Sequence, residues 1–303
     1  MRQRGVALIT AIVLVAIATV LAVHVGTRAA LDLRRTAGLF ALDQGWQVAL
    51  GAEAWAAEVL LDDYEDDQEI DHPGERWAQP LPALPVDGGE LRGAVEDMQG
   101  RFNLNSLIDG QGQAVDEAIE RFQWLLVQVG ANPRWATILV DWLDEGTVPQ
   151  FPEGAEDGIY LSQNPPYRAA NGPITTVSEL LALPGMTQEE YQRIRPYVAA
   201  LPVSVKEINV CSASGPVLEA LTQEGTGFGD PESLALNRRN GCFPTPEDVQ
   251  ARVGRPLEYI SRSSNWFRAV TAVRIGTSEI TLYSLIERNN GRSRVVLRST
   301  GTE

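Results

Sequence analysis

The residues best equipped for chemistry in this chain are carboxylates. Asp141, Asp144 and Glu145 close the stretch VDWLDEG, and Glu153, Glu156 and Asp157 follow in PEGAEDGIY. Asp141 and Asp144 stand three apart, so they share one face at the end of a predicted helix. A helix C-terminus carries partial negative charge, and carboxylates there are stabilised by a cation. Ca²⁺ takes six to eight hard oxygen ligands and accepts carboxylates and loop carbonyls alike. The loop from Gly146 to Asn171 has little apolar content to hold it in place, and an ion would supply order. The spacing is not that of an EF-hand, which alternates its acidic positions and closes on a glutamate. A solvated acidic loop carries the same pattern, so the residues alone leave both readings open.

Other chemistries find few candidates. The chain has two histidines, His24 in or beside an apolar run and His72 in a loop, with no HExxH and no Cys-x-x-Cys. That argues against a zinc site and against a Ser-His-Asp set. There is no GxxxxGK[ST] phosphate loop, and the glycines of Gly225–Gly229 have no strand before them. Carboxylates could serve a glycosidase, yet no pair stands out among 40 acidic residues. We expect no enzymatic activity. The formal charge is −15 and Lys206 is the only lysine, which disfavours a phosphate backbone as partner. The run SELLALPGMTQEEYQRI resembles a helix-hairpin-helix unit, but Glu189 and Glu190 follow the hairpin where a DNA binder would place basic residues. A membrane-tethered DNA-binding protein is the competing reading.

These residues need elements to carry them. Residues 6–25, VALITAIVLVAIATVLAVHV, are long enough at about 1.5 Å per residue to cross a bilayer of roughly 30 Å as a helix. Arg2 and Arg4 precede the run and hold the amino end on the cytoplasmic side. Gly5 directly before it suggests a cut that keeps the apolar segment, the layout of type IV prepilin leaders; a plain signal anchor has the same basic-then-apolar order. Beyond the span, Leu31, Leu39, Leu42, Trp46, Leu50, Trp55 and Leu60 recur mostly at three to five residues and predict a stem helix over 26–63. A membrane helix continuing into an amphipathic stem is the shape of pilin-like proteins. Gly26, Gly38, Gly45 and Gly51 are places where it could bend.

Residues 62–85, acidic and then proline-rich, read as a surface loop. Leu91, Ala94 and Val95, then Phe102 and Leu104, suggest short strands about a turn at Gly100. From Ala114 to Tyr197 the pattern is helical, with Pro133 opening one helix and Gly130 and Gly146 closing two. From Trp266 onward three β runs are divided by Gly276-Thr277 and Asn290-Gly291, an antiparallel hairpin pair. Strand material at both ends and helices between predict an α+β fold: a membrane and stem helix, a body with an antiparallel sheet (64–112 and 203–303) and an inserted all-helical domain (113–202). Two cysteines, Cys211 and Cys242, in an exported chain are expected to pair, the other state being two free buried thiols.

Taken together, RGVALIT, GAEAWA, GRFNLNSL, DWLDEG, EGAEDGIY, PPYRAAN, SELLALPGM and INVCSAS make the chain resemble the general secretion pathway protein K family, the large minor pseudopilins of bacterial type II secretion. The resemblance runs over nearly the whole length. It implies residues 1–5 as a leader cut by prepilin peptidase after Gly5, and N-methylation of Val6. It implies an inner-membrane anchor with a periplasmic domain. Most pseudopilins carry glutamate at the fifth mature position; this family does not, and Thr10 stands there. The implied role is to cap the pseudopilus tip with minor pseudopilins of the I and J classes. The family's inserted domain binds two calcium ions, which points to Asp141, Asp144, Glu156 and Asp157 as ligands. Cys211 departs from relatives that have asparagine there, and Cys242 makes a compensating disulfide available.

Overall fold

The computed structural model describes residues 4–66, 70–150, 152–221, 225–289 and 291–300. Helix α1 spans Arg4–Asp66 without a break, roughly 95 Å at 1.5 Å per residue. Gly26, Gly38, Gly45 and Gly51 do not interrupt it. Gly45 has a positive use: a Cβ there would lie 3.3 Å from Ile280 Cδ1, so glycine lets the helix settle closely on the sheet.

The sheet has five antiparallel strands in the order β1-β2-β7-β8-β9, where β1 is Leu81–Val86, β2 Gly89–Asp97, β7 Trp266–Ile275, β8 Ser278–Asn289 and β9 Arg292–Thr300. Alternation along the strands sends one set of side chains to α1. Ala49 packs with Leu91, Val273, Ile275 and Leu282 toward the membrane end. Leu60 and Trp77 pack with Phe267, Ala269 and Ile286 at the far end. Each buried leucine, isoleucine, valine or phenylalanine here contributes about 1.5–3 kcal/mol. The β7–β8 hairpin turns at Gly276-Thr277 as expected. In the second expected turn, Asn290 lies outside the described residues. The stretch read as a loop to Pro85 contains β1, whose Pro82 and Pro85 are tolerated because the strand is at the sheet edge.

Strands β2 and β7 are neighbours in the sheet although residues 98–265 lie between them. The insertion therefore leaves the body at the end of the sheet opposite the anchor, where Met98 N–H donates to Trp266 O at 2.9 Å. It contains β3 (Phe102–Asn103) parallel to β4 (Val198–Ala199), and β5 (Ile208–Asn209) parallel to β6 (Ile260–Ser261). Its helices are α2 (Asp116–Gln128), α3 (Arg134–Leu143), α4 (Asp157–Tyr160), α5 (Gln188–Ile194), α6 (Gly215–Ala220), α7 (Pro231–Asn237) and α8 (Pro246–Val253). One apolar cluster joins them, from Phe102, stacked on Phe122 at 5.2 Å, through Trp135 and Leu139 to Leu218, Val249 and Tyr259. Much of residues 203–260, expected with the body, packs into the helical part instead: Ile208, Val217, Leu218, Leu234, Val249 and Tyr259 join its core, and α6 lies against α2. Leu104, expected in a strand, opens a 3₁₀ turn capped by the Asn103 side chain. Residues Val177–Ala182 are likewise 3₁₀ rather than α, held by a Thr176–Glu179 capping box.

Cys211 and Cys242 form a disulfide, with Cα atoms 4.5 Å apart. Buried Arg238 supports the same corner, donating to Val210 O at 2.8 Å, Ala213 O at 2.7 Å and Phe243 O at 2.6 Å.

A buried polar joint ties the insertion to body and stem. Arg288, on β8, donates to both Asp71 oxygens at 2.6 and 2.7 Å, to Leu60 O at 3.1 Å and to Ser264 O at 2.9 Å. Asp97, at the end of β2, accepts from Gln99 N–H at 2.8 Å, Asn209 Nδ2 at 2.9 Å, Ser264 Oγ at 2.7 Å and Ser212 Oγ. Burial pushes both carboxyls up, Asp71 to about 6 against the pull of Arg288.

Candidate metal centre

Helix α3 is buried on most of its surface, which is why its last turn can hold a charged residue away from water. Asp141 is fully buried. Both its oxygens accept from Gln150 N–H at 3.1 Å, and Ala155 N–H also donates to it. The loop that supplies these donors passes very close. A Cβ on Gly154 would stand 2.1 Å from Asp141 Oδ2, so no side chain fits at that position. Asp144 caps α3 and turns the chain outward, its Oδ1 accepting from Gly146 N–H at 2.8 Å.

Glu156 sits at the start of α4 and is 5% exposed. Its Oε1 is buried without a hydrogen-bond partner. Asp157 follows at the rim, accepting from Ala169 N–H at 3.1 Å and facing exposed Arg168 at 3.7 Å. Beneath them Tyr160 is packed between Trp142 and Tyr167, with ring centroids 5.1 and 5.4 Å away.

The electrostatics show a deficit of positive charge. Burial pushes Asp141 up to about 6, against the two backbone donors. Burial first, and then the charges of Asp141, Asp144 and Asp157, push Glu156 up to about 7. Burial also raises the Tyr160 phenol, with Tyr167, Asp141 and Glu156 adding to it. The four predicted carboxylates therefore feel one another's charge, Asp141 and Glu156 buried and Asp144 and Asp157 half-buried. They do not close to the spacing of Asp63, Asp71 and Glu75, whose oxygens lie within 4.8 Å of one another. That second group is already engaged, by Arg288 on Asp63 and Asp71 and by His72 N–H and Trp77 Nε1 on Glu75. Glu145 and Glu153, quoted with the cluster, are exposed.

Asn171 is the residue that sequence reasoning did not single out. It has φ 47°, in the left-handed region that asparagine tolerates. Its Nδ2 donates to Gly146 O at 3.1 Å, and its Oδ1 is buried with no partner. A carbonyl oxygen of Asn171, a carboxylate oxygen of Glu156 and the phenol of Tyr160, each buried and without a hydrogen-bond partner, are of the donor type that suits a hard cation.

At the other end of the molecule, the apolar half of α1 presents its side chains outward: an 18-residue window has mean hydropathy 3.0 and is 0% buried. Its hydroxyls are turned inward. Thr10 Oγ1 donates to Val6 O or Ala7 O at 3.1 and 2.9 Å, Thr19 to Val15 O and Thr27 to Val23 O at 2.8 Å. The Gly5–Val6 bond lies in the first turn of the helix, and residues 1–3 of the expected leader lie outside the described residues.

One long apolar helix, long and apolar enough to cross a membrane and running on as the stem of an antiparallel sheet with a helical insertion at its far end, defines a pilin-like protein. Residues 100–203 match the family described as type II secretion system (T2SS), protein K. Type II secretion system protein K of Pseudomonas aeruginosa is 34% identical over 99% of this chain and 93% of its own length. That of Klebsiella pneumoniae is 37% identical over 99% and 97%. The fold matches that in the crystal structure of the GspK-GspI-GspJ complex from the enterotoxigenic Escherichia coli type 2 secretion system. The TM-score is 0.76 at 24% identity, covering 89% of this chain and 100% of that one. The chain belongs to the type II secretion system protein K family and is a minor pseudopilin. The DNA-binding alternative has no support among these relatives, and in the hairpin region Glu190 is spent on Trp135 Nε1 at 3.1 Å.

Proposed function

We infer that this chain caps the tip of the pseudopilus and helps start its assembly, with minor pseudopilins of the I and J classes as its partners. The observation that carries this reading is the place of the insertion. It leaves the sheet between β2 and β7, at the end opposite the anchor, so it stands where a subunit above would have to pack. Thr10 agrees: its hydroxyl is occupied by its own helix, and no carboxylate is present to neutralise the amino terminus of a neighbour. The chain is anchored in the inner membrane by α1 with its remaining mass in the periplasm. Prepilin peptidase cuts after Gly5, and Val6 is methylated. The role is structural, not catalytic.

The second part of the reading is a structural calcium site. Asp141, Asp144, Glu156 and Asp157 would hold the ion, with Asn171 Oδ1 available to it. A bound Ca²⁺ supplies the positive charge that the buried carboxylates lack. The chain's own residues do the rest: Gly154 admits the loop, the Gln150 and Ala155 amides orient Asp141, and Asn171 ties the loop to Gly146.

The test is co-purification of the full chain with its I-class and J-class partners, with calcium and with chelator. A ternary complex is expected, weakened by chelation. A complex indifferent to chelator would remove the metal from the reading, and no complex in either condition would remove the tip role. In the same assay Thr10→Glu is expected to leave folding unchanged and to alter assembly.

A further inference from the structure

The charge along α1 is unevenly placed. All but one of the 40 acidic residues lie beyond Arg35, and that one, Asp32, pairs with Arg35 at 3.9 Å while both stay largely exposed. Arg28, Arg34 and Arg35 thus follow the apolar span as the first charged groups, apart from Asp32, on an otherwise acidic ectodomain. Orientation rules disfavour arginine on the exported side of a span, so these three are not explained by topology. The helix is continuous here, which fixes their height. Arg28 stands three residues past Val25, about 4.5 Å, and Arg34 and Arg35 roughly 14–15 Å past it. The polar layer of a bilayer leaflet is about 5–8 Å deep. Arg28 therefore sits within it. The other two lie just above, within about one screening length, on long side chains that can bend toward the surface. All three are exposed. Arg28 and Arg35 are seven apart and share a face, with Arg34 a third of a turn away.

We propose that Arg28, Arg34 and Arg35 form a collar that binds the headgroups of anionic phospholipids on the outward leaflet. The occupant is set by charge: one guanidinium at headgroup height and two just above it complement phosphate, and guanidinium binds phosphate bidentately. The collar offsets the repulsion between an anionic surface and a chain of net charge −15, and so keeps the subunit seated until it is drawn into the fibre. The inference rests on the anchor reading of α1.

The experiment uses the full chain in phosphatidylcholine vesicles with spin-labelled phosphatidylglycerol or spin-labelled phosphatidylcholine. Flotation with phosphatidylcholine alone reports insertion; the ratio of motionally restricted label reports headgroup preference. A preference for phosphatidylglycerol of about fivefold is expected in 0.1 M salt. It should fall toward unity in the variant R28Q/R34Q/R35Q and at about 1 M salt, where the screening length is about 3 Å. The variant R2Q/R4Q controls for the opposite leaflet and should keep the collar's share. Flotation with no preference, or a preference unchanged in the triple variant, would overturn the collar and leave the anchor standing; failure to float would overturn both. If the triple variant instead lost its pseudopilin partners in lipid-free detergent and kept its lipid preference, the arginines would serve a protein surface, and the proposal would fall.

Discussion

Two of the places where this molecule buries carboxylates are built on opposite terms. At the joint of body and insertion, Asp71 faces Arg288 across two bonds of 2.6 and 2.7 Å, and Asp97 collects donors from five residues, Gln99, Gly100, Asn209, Ser212 and Ser264. The charge and the donors all come from the chain. At the end of α3, Asp141 has two amide donors, Glu156 Oε1 has none, and the charges that act on Glu156 are those of other carboxylates. A buried charge costs several kcal/mol unless paired. The first site is satisfied within the fold, while the second leaves a buried carboxylate oxygen without a partner. That difference, and not the number of acids, separates a structural hub from a candidate metal centre.

The comparison breaks most visibly at Arg288. Replacing it by alanine leaves Asp71 buried without its cation, a loss of about 3–5 kcal/mol. Thermal unfolding should show a large drop that neither calcium nor chelator alters. A calcium-dependent loss would mean that the two regions are not independent. Next in size is the Cys211–Cys242 disulfide. It closes a sequence separation of 31 residues, so chain entropy puts its contribution at about 3–4 kcal/mol. Reduction, or Cys211→Ser with Cys242→Ser, should lower stability by that order. Melting of α6 and α7 ahead of the sheet, followed by hydrogen exchange, would place the loss in the insertion.

How much of this contrast could be read beforehand depends on distance along the chain. The carboxylates of the candidate centre were visible because Asp141 to Asp157 lie within one stretch, and a helix end beside a glycine-rich loop is a local pattern. Asn171 was not visible as a participant, because its left-handed φ and its return to Gly146 are set by the folded loop. The joint could not be seen at all: Arg288 and Asp71 are 217 positions apart, and nothing local marks either. The stem and the last strands were legible from their periods of three to four and of two. Strand β1 was hidden by its prolines, which only an edge position excuses. The width of the insertion was hidden because the pairing of β2 with β7 is long-range, and because residues 203–260 carry mixed patterns that become interpretable only against α2.

Chelation tests the second region directly. If calcium is held at about a hundred times its dissociation constant, its removal should lower stability by about 2.7 kcal/mol. The loss should appear in the insertion, with the joint unaffected. Asp141→Asn should abolish the response, since the buried oxygen pair would no longer carry the charge that a hard cation requires. A melting temperature that is the same with calcium and with chelator would return the acidic cluster to a plain surface loop.

The smallest effect is the most discriminating, because its sign changes with conditions. Glu156 is pushed up to about 7 by burial and by the like charges around it, so in the absence of a cation its ionised form works against the fold. Glu156→Gln keeps the shape and removes that charge. In chelator the variant should be as stable as the parent or more stable, by up to about 1 kcal/mol once partial solvation by the loop is allowed for. In calcium it should be less stable than the parent, because a ligand charge has been lost. Calorimetry of both proteins in both conditions yields the crossing. A variant destabilised equally in the two conditions would show that Glu156 contributes packing alone, and the contrast between a self-sufficient joint and a cation-dependent loop would then have no basis at this residue.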